Sequence, residues 1–316
     1  MPEWTIQKLL NWITQYFTDS NIDAPRLSAE LLLSCVLGLE RIELYTNFDK
    51  VVVKPDLDRL HSIVKRCINN EPIQYLIGRC EFYSISLKVS ADCLIPRPET
   101  ELLVERAIEI LRTRTGPQYV CDLCTGSGCI AVAIAKNFEN ARIIATDICD
   151  KALTIAAENI ARYNLHDRIE LLNGDLFAPI IDQLDRPEFD LIVTNPPYVS
   201  TAEYEALEEN VKNYEPEHAL HAGPKGLDIY RRIAAEIDRH LKPAGALIAE
   251  IGYAQGPAVA ELFESTEIFT DIKIEKDLSN NDRILIATKK LNNLTVLAYA
   301  IIRVLSRSSP SFERIK

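Results

Sequence analysis

Short polar stretches stand at the ends of apolar runs in this chain and carry the residue types that a ligand site needs. Residues 195–198 read N-P-P-Y directly after F-D-L-I-V-T, residues 122–128 read D-L-C-T-G-S-G after Y-V-C, and further runs end at Asp147 and Asp175. A doubled proline lacks backbone donors and fixes its own φ, so strand pairing stops at Asn195 and leaves a short amide at a strand's C-terminal end. Gly126 and Gly128 permit a tight turn and let the backbone approach a ligand with no Cβ in the way. Asp147 follows them by about twenty residues, the separation at which a carboxylate takes the ribose hydroxyls of an adenosine. Asp122, Asp147 and Asp175 are expected to face one crevice from successive strand ends. Each alone is as readily a turn or helix-cap residue; together they favour a ligand site.

The elements that must position these residues are legible as changes of period. T-I-Q-K-L-L-N-W-I-T-Q-Y-F, A-P-R-L-S-A-E-L-L-L-S-C-V-L-G-L and a third segment starting near Pro55 carry apolar residues at helical spacing, which predicts a small bundle in the first 74 residues. Residues 75–92 switch towards alternation with aromatic and β-branched residues, which predicts a linking hairpin. From residue 93 to 290 strands alternate with helices, so a parallel sheet covered on both faces is expected. Residues 291–316 are expected to form an extra helix or to be disordered, and are too short and polar to span a bilayer.

Composition narrows the function. A chain of 316 residues with 47% hydrophobic content is long enough for two folded domains. A net charge of −11 opposes long-range attraction to polyanions, so direct nucleic-acid binding is not expected. No apolar run suggests a leader or membrane span, and a cytoplasmic protein is expected. Among the eight cysteines, Cys121 and Cys124 form one C-x-x-C. No second pair or paired histidines complete a ligand set, so no metal site is expected. Ala131 interrupts the dinucleotide fingerprint G-x-G-x-x-G, and the Walker pattern G-x-x-x-x-G-K-[ST] is absent.

D-L-C-T-G-S-G, Asp147, G-D at 174–175 and N-P-P-Y together resemble the class I S-adenosylmethionine-dependent methyltransferases that modify planar nitrogens. With I-P-R-P-E-T-E at 95–101, G-R-C-E-F-Y at 78–83 and Y-E-P-E-H-A-L at 214–220, the chain resembles the peptide chain release factor N5-glutamine methyltransferase family over nearly all of residues 1–290. The resemblance implies an α/β, class I Rossmann-like methyltransferase sheet with an N-terminal helical substrate-recognition domain and a hairpin linker. The implied cofactor is S-adenosyl-L-methionine, lined by Cys124, Thr125, Gly126, Ser127, Gly128, Asp147, Asp175, Leu176 and Asn195. The implied substrate is the glutamine of the Gly-Gly-Gln motif of release factors, met by Asn195, Pro196, Pro197, Tyr198, Arg97 and Glu99. Asn195, Pro196 and Tyr198 would be catalytic.

An amide nitrogen is a poor nucleophile because its lone pair is delocalised. The Asn195 side-chain oxygen and the Pro196 carbonyl would accept its two N–H groups and aim it at the sulfonium methyl, while Tyr198 packs on the flat amide. A sulfonium is already an activated leaving group, so positioning and electrostatics carry the catalysis. Two residues depart from the family pattern: Cys124 stands where glycine is usual, and Leu176 where an aromatic is frequent. A monomer supplies all these parts. The alternative function, nucleic-acid adenine N6-methylation, uses the same N-P-P-Y but needs a flipped base and a phosphate track.

Overall fold

The computed structural model describes residues 3–181 and 188–291; the extra helix expected beyond 291 lies outside them. The chain begins with five helices, α1 (Ile6–Asp19), α2 (Pro25–Leu37), α3 (Arg41–Thr46), α4 (Lys54–Ile68) and α5 (Ile73–Ile77). Their apolar faces close a core of their own around Leu10, Ile13, Phe17, Leu32, Leu33 and Leu44. Sequence periodicity misses α3 and α5 because one or two turns are too short to show a repeat. Local chemistry makes them: Glu40 and Glu43 form a reciprocal capping box at α3, and Gly78 in the left-handed region stops α5. Consequently the hairpin starts only at β1 (Arg79–Phe82) and returns as β2 (Ile85–Lys88).

The remaining strands are β3 (Gln118–Leu123), β4 (Ala141–Asp147), β5 (Ile169–Asn173), β6 (Phe189–Thr194), β7 (Leu241–Glu250), β8 (Phe269–Lys276) and β9 (Asp282–Lys289). They form one sheet in the order β5-β4-β3-β6-β7-β9-β8. The first five are parallel, as the alternation of strands and helices predicts. β8 and β9 run antiparallel, since a short turn joins them where a parallel pair would need a crossover.

Neighbouring residues on each strand enter opposite cores. Val120, Leu191, Val193 and Ile248 pack with α6 (Thr100–Arg112) and α7 (Cys129–Asn137), while Cys121, Ile192 and Leu247 pack with α12 (Asp228–Glu236) and α13 (Gly256–Glu264). Between these stand α8 (Asp150–Arg162), α9 (Ala178–Ile181), α10 (Thr201–Glu205) and α11 (Glu209–Lys212). Burial on both faces explains why the central strands read as continuous apolar runs.

Candidate active site

β3 is the point from which the chain moves outward in one direction to β4 and β5 and, later, in the other to β6 and β7. Loops leaving β3 and β6 therefore diverge, and a crevice opens at the C-terminal strand ends. Leu123 and Thr194 are register partners there, and the Thr194 hydroxyl donates to the Leu123 carbonyl at 2.9 Å. A cavity of about 260 Å³ occupies the crevice, with Thr125, Gly126, Ser127, Asp147, Asp175 and Asn195 on its wall.

The loop after β3 is shaped by left-handed backbone. Cys124 has φ 59° and Gly126 φ 54°. At Cys124 a side chain occupies a conformation that favours glycine. Burial pushes the Cys124 thiol well above its ordinary range, so it is protonated. A Cβ at Gly126 would enter open space, whereas one at Gly128 would stand 3.2 Å from Ala156 Cβ. Gly128 thus packs the loop against α8, and it is not on the cavity wall.

Asp122 does not face the crevice as the sequence reading expects. It is fully buried behind the loop, where its Oδ2 accepts the Thr125 hydroxyl at 2.6 Å and the Ala131 N–H at 3.2 Å. Burial pushes its carboxyl up to about 7. The alternation of side chains along a strand explains the difference: a residue inside β3 points into a core, and only the loop beyond it reaches the crevice.

Asp147 and Asp175 do line the cavity. Asp147 also holds the structure, accepting Gly126 N–H at 2.8 Å on one oxygen and Cys149 N–H at 2.9 Å on the other. Desolvation raises its carboxyl above the usual range. One side chain thus holds the turn and also lines the cavity. Asp175 forms a half-exposed ion pair with Arg232 at 2.6 Å, and Leu176, with φ 50°, gives the wall an apolar surface beside it.

Across the cavity, Asn195 and Pro197 form the wall, while Pro196 and Tyr198 do not. The Asn195 Nδ2 donates to Thr100 Oγ1 at 3.2 Å. Thr100 in turn donates to Glu250 Oε2 at 2.6 Å, and Glu250 Oε1 lies 3.4 Å from the Tyr198 hydroxyl. Tyr198 is anchored again through its carbonyl, which accepts Gln255 Nε2–H at 2.9 Å. Arg97 reaches the wall with its guanidinium bound to the buried Glu215 at 2.6 Å, but Glu99 is exposed at the start of α6.

Sequence reasoning missed Thr100, Glu250, His218 and Arg232. Thr100, His218 and Arg232 line the cavity, and Glu250 stands behind Thr100. Only Thr100 and His218 fall within runs that the sequence singled out, I-P-R-P-E-T-E and Y-E-P-E-H-A-L. All eight cysteines are free thiols, and among the described residues no cluster of His, Cys, Asp or Glu is arranged to hold a metal. No helix of the described residues is long and apolar enough to cross a membrane.

A doubly covered, mostly parallel sheet, with a glycine loop after β3 and carboxylates at the ends of β4 and β5, is the architecture of the class I methyltransferases. The hMettl16 catalytic domain in complex with MAT2A 3'UTR hairpin 1 shares this fold, with a TM-score of 0.54 at 15% identity over 78% of this chain and 84% of that one. Residues 8–78 match the PrmC N-terminal domain, and residues 99–214 match the Methyltransferase small domain. The release factor glutamine methyltransferase of Geobacter sulfurreducens is 40% identical over 284 residues, covering 90% of this chain and 96% of that protein. The protein of the same name from Rhodopirellula baltica is 40% identical over 286 residues, covering 89% and 95%. The chain belongs to the release factor glutamine methyltransferase family.

Proposed function

We propose that this protein transfers a methyl group from S-adenosylmethionine to the side-chain amide nitrogen of the glutamine in the Gly-Gly-Gln motif of peptide chain release factors. The observation that carries the reading is that Asn195 lines the same cavity as the glycine loop and the carboxylates Asp147 and Asp175. The donor set fits the cofactor: carboxylates suit a cation with a ribose diol, the apolar side chains of Ile130, Ile148 and Leu176 suit a flat base, and Gly126 leaves open space. When bound, S-adenosylmethionine supplies a methyl group on a positively charged sulfur, an activated leaving group.

The residues of this chain bind and aim. Asp147 would take the ribose hydroxyls, the loop from Cys124 to Ser127 would hold the amino-acid end with Gly128 keeping that loop against α8, and Asp175 with Leu176 would border the base. The Asn195 oxygen and the Pro196 carbonyl accept the two N–H groups of the substrate amide, which holds its nitrogen in line for attack. Pro197 supplies a rigid apolar edge, and Tyr198, just outside the cavity wall and held by its bonds to Glu250 and Gln255, would meet the amide where the substrate enters. Arg97 and Glu99 flank the entry, and the N-terminal helices hold the release factor. As the N–C bond forms the sulfur–methyl bond would break, its electron pair remaining on sulfur as a neutral thioether, and the nitrogen, now acidic, would lose its proton to solvent.

The test is transfer of isotopically labelled methyl from S-adenosylmethionine to a purified release factor, with an adenine-containing oligonucleotide as the competing acceptor. Label on the protein supports the reading. Label on the oligonucleotide alone would move the activity to adenine.

A further inference from the structure

Thr100 is 1% exposed and has one hydroxyl proton, yet its oxygen touches two polar groups, Glu250 Oε2 at 2.6 Å and the Asn195 amide at 3.2 Å. An ionised carboxylate can only accept. The Thr100 proton must therefore lie towards Glu250, because two acceptor oxygens 2.6 Å apart with no proton between them would repel. What remains on Thr100 is a lone pair, and a lone pair selects the Nδ2 end of the Asn195 amide. The Asn195 oxygen, which has no protein hydrogen bond among the described residues, is left for the cavity that Asn195 lines.

We infer that Glu250 and Thr100 are positioning residues that fix the direction of the Asn195 amide, so that its oxygen, and not its NH₂ group, meets the substrate nitrogen. The inference rests on the role given to Asn195 above. Neither residue touches the substrate; they act by setting the polarity of a three-member relay. Reversing the relay requires a donor at position 250: a protonated or amidated side chain would donate to Thr100, Thr100 would donate to the Asn195 oxygen, and the NH₂ group would turn to the cavity. An NH₂ group facing a substrate amide N–H pairs donor with donor, and the nitrogen is no longer held.

The surroundings of Glu250 make its charge sensitive. Thr100 faces it from the first turn of α6, with the exposed charge of Glu99 just before that turn, Tyr198 from the segment after β6 and Arg283 from β9, and the Tyr230 hydroxyl from α12 donates to its backbone carbonyl at 2.6 Å. Burial raises the carboxyl to about 7, with Thr100, Arg283 and Tyr198 working against that rise and Glu99 with it. Protonation on the acid side of this value permits the reversed relay, so the transfer rate should fall as pH drops below it.

The experiment measures kcat and KM for a release factor, S-adenosylmethionine affinity by calorimetry, and Tm, in the full-length wild type and in Thr100→Val, Thr100→Ser and Glu250→Gln. Thr100→Val keeps the shape and loses the relay; kcat should fall about 100-fold, as for a misdirected reacting group, with cofactor affinity changed less than threefold. Thr100→Ser keeps the hydroxyl and should lose no more than about threefold in kcat. Glu250→Gln has no titrating group there and should lack the acid limb seen in the wild type, an outcome that stands even if Thr100→Val does not fold. A wild-type protein that leaves the release factor unmodified overturns the role of Asn195 and the relay with it. Wild-type transfer accompanied by an unimpaired Thr100→Val, by Thr100→Ser as slow as Thr100→Val, or by an acid limb surviving in Glu250→Gln overturns the relay alone.

Discussion

Asp122 and Glu250 place the same chemistry in two settings. Each is a carboxyl on a central strand, each is buried, and burial pushes each up to about 7. Asp122 works on its own neighbourhood, bonding Thr125 three residues on and Ala131 nine residues on. Glu250 works at long range: its partner Thr100 is 150 residues earlier, and Thr100 lies 95 residues from Asn195. The loop on the cofactor side thus takes its shape from contacts within β3 and α7, reinforced by Asp147 at the end of β4 and Ala156 of α8. The amide on the acceptor side takes its direction only once β6, β7 and α6 have assembled. Cofactor binding and acceptor alignment are consequently separable by substitution.

Asn195→Ala is the sharpest way to split the two sides. It should lower kcat by about 10²- to 10³-fold, the cost of removing a positioned acceptor, while calorimetric affinity for S-adenosylmethionine falls far less. Equal loss of both would break the comparison. On the other side, Gly126→Ala places a Cβ in the cavity at φ 54°. The strain alone is about 1–2 kcal/mol, so both Tm and cofactor affinity should drop, with kcat at saturating cofactor nearly kept.

Asp122→Asn sharpens the comparison through pH. The folded carboxyl of Asp122 is raised above its unfolded value, so its contribution to stability is complete below the unfolded value, near 3.8, and is lost as pH rises through about 7. Asparagine does not titrate. The stability of the variant relative to wild type should therefore rise between pH 5 and pH 8 by about 2–3 kcal/mol, which lifts its relative Tm by about 4–12 °C. A difference that is constant over that range would show that Asp122 is not shifted. Arg232→Ala should have the smallest effect. Its pair with Asp175 is 46% and 43% exposed, so stability should change by less than about 1 kcal/mol in thermal melts. Loss of cofactor affinity beyond a few-fold would place Arg232 in the binding site proper.

What was legible in the sequence follows the same division. D-L-C-T-G-S-G, Asp147, Asp175 and the stop at N-P-P-Y stood out because each is a local event at a strand end, and four of the five loop residues from Cys124 to Gly128 do reach the cavity wall. Gly128 was legible as a turn residue, but its partner Ala156 belongs to another helix. Asp122 misled because its place next to the loop says nothing of which face of β3 it occupies. Arg97 and Glu99 stand out within I-P-R-P-E-T-E, yet it is Thr100 of the same run, the first residue of α6, that holds the Asn195 amide. Glu250 ends an apolar strand with no motif around it, and its meaning comes only from a partner 150 residues away. The five parallel strands followed from alternation, whereas the antiparallel β8 and β9 depend on a turn that carries no periodic signal.

The most direct measurement is peptide mass spectrometry of a purified release factor after incubation with S-adenosylmethionine and either the wild-type protein or Asn195→Ala. The account predicts one added methyl on the side-chain nitrogen of the Gly-Gly-Gln glutamine with the wild type, and almost none with the variant. A methyl found on another residue, or undiminished modification by Asn195→Ala, would contradict it.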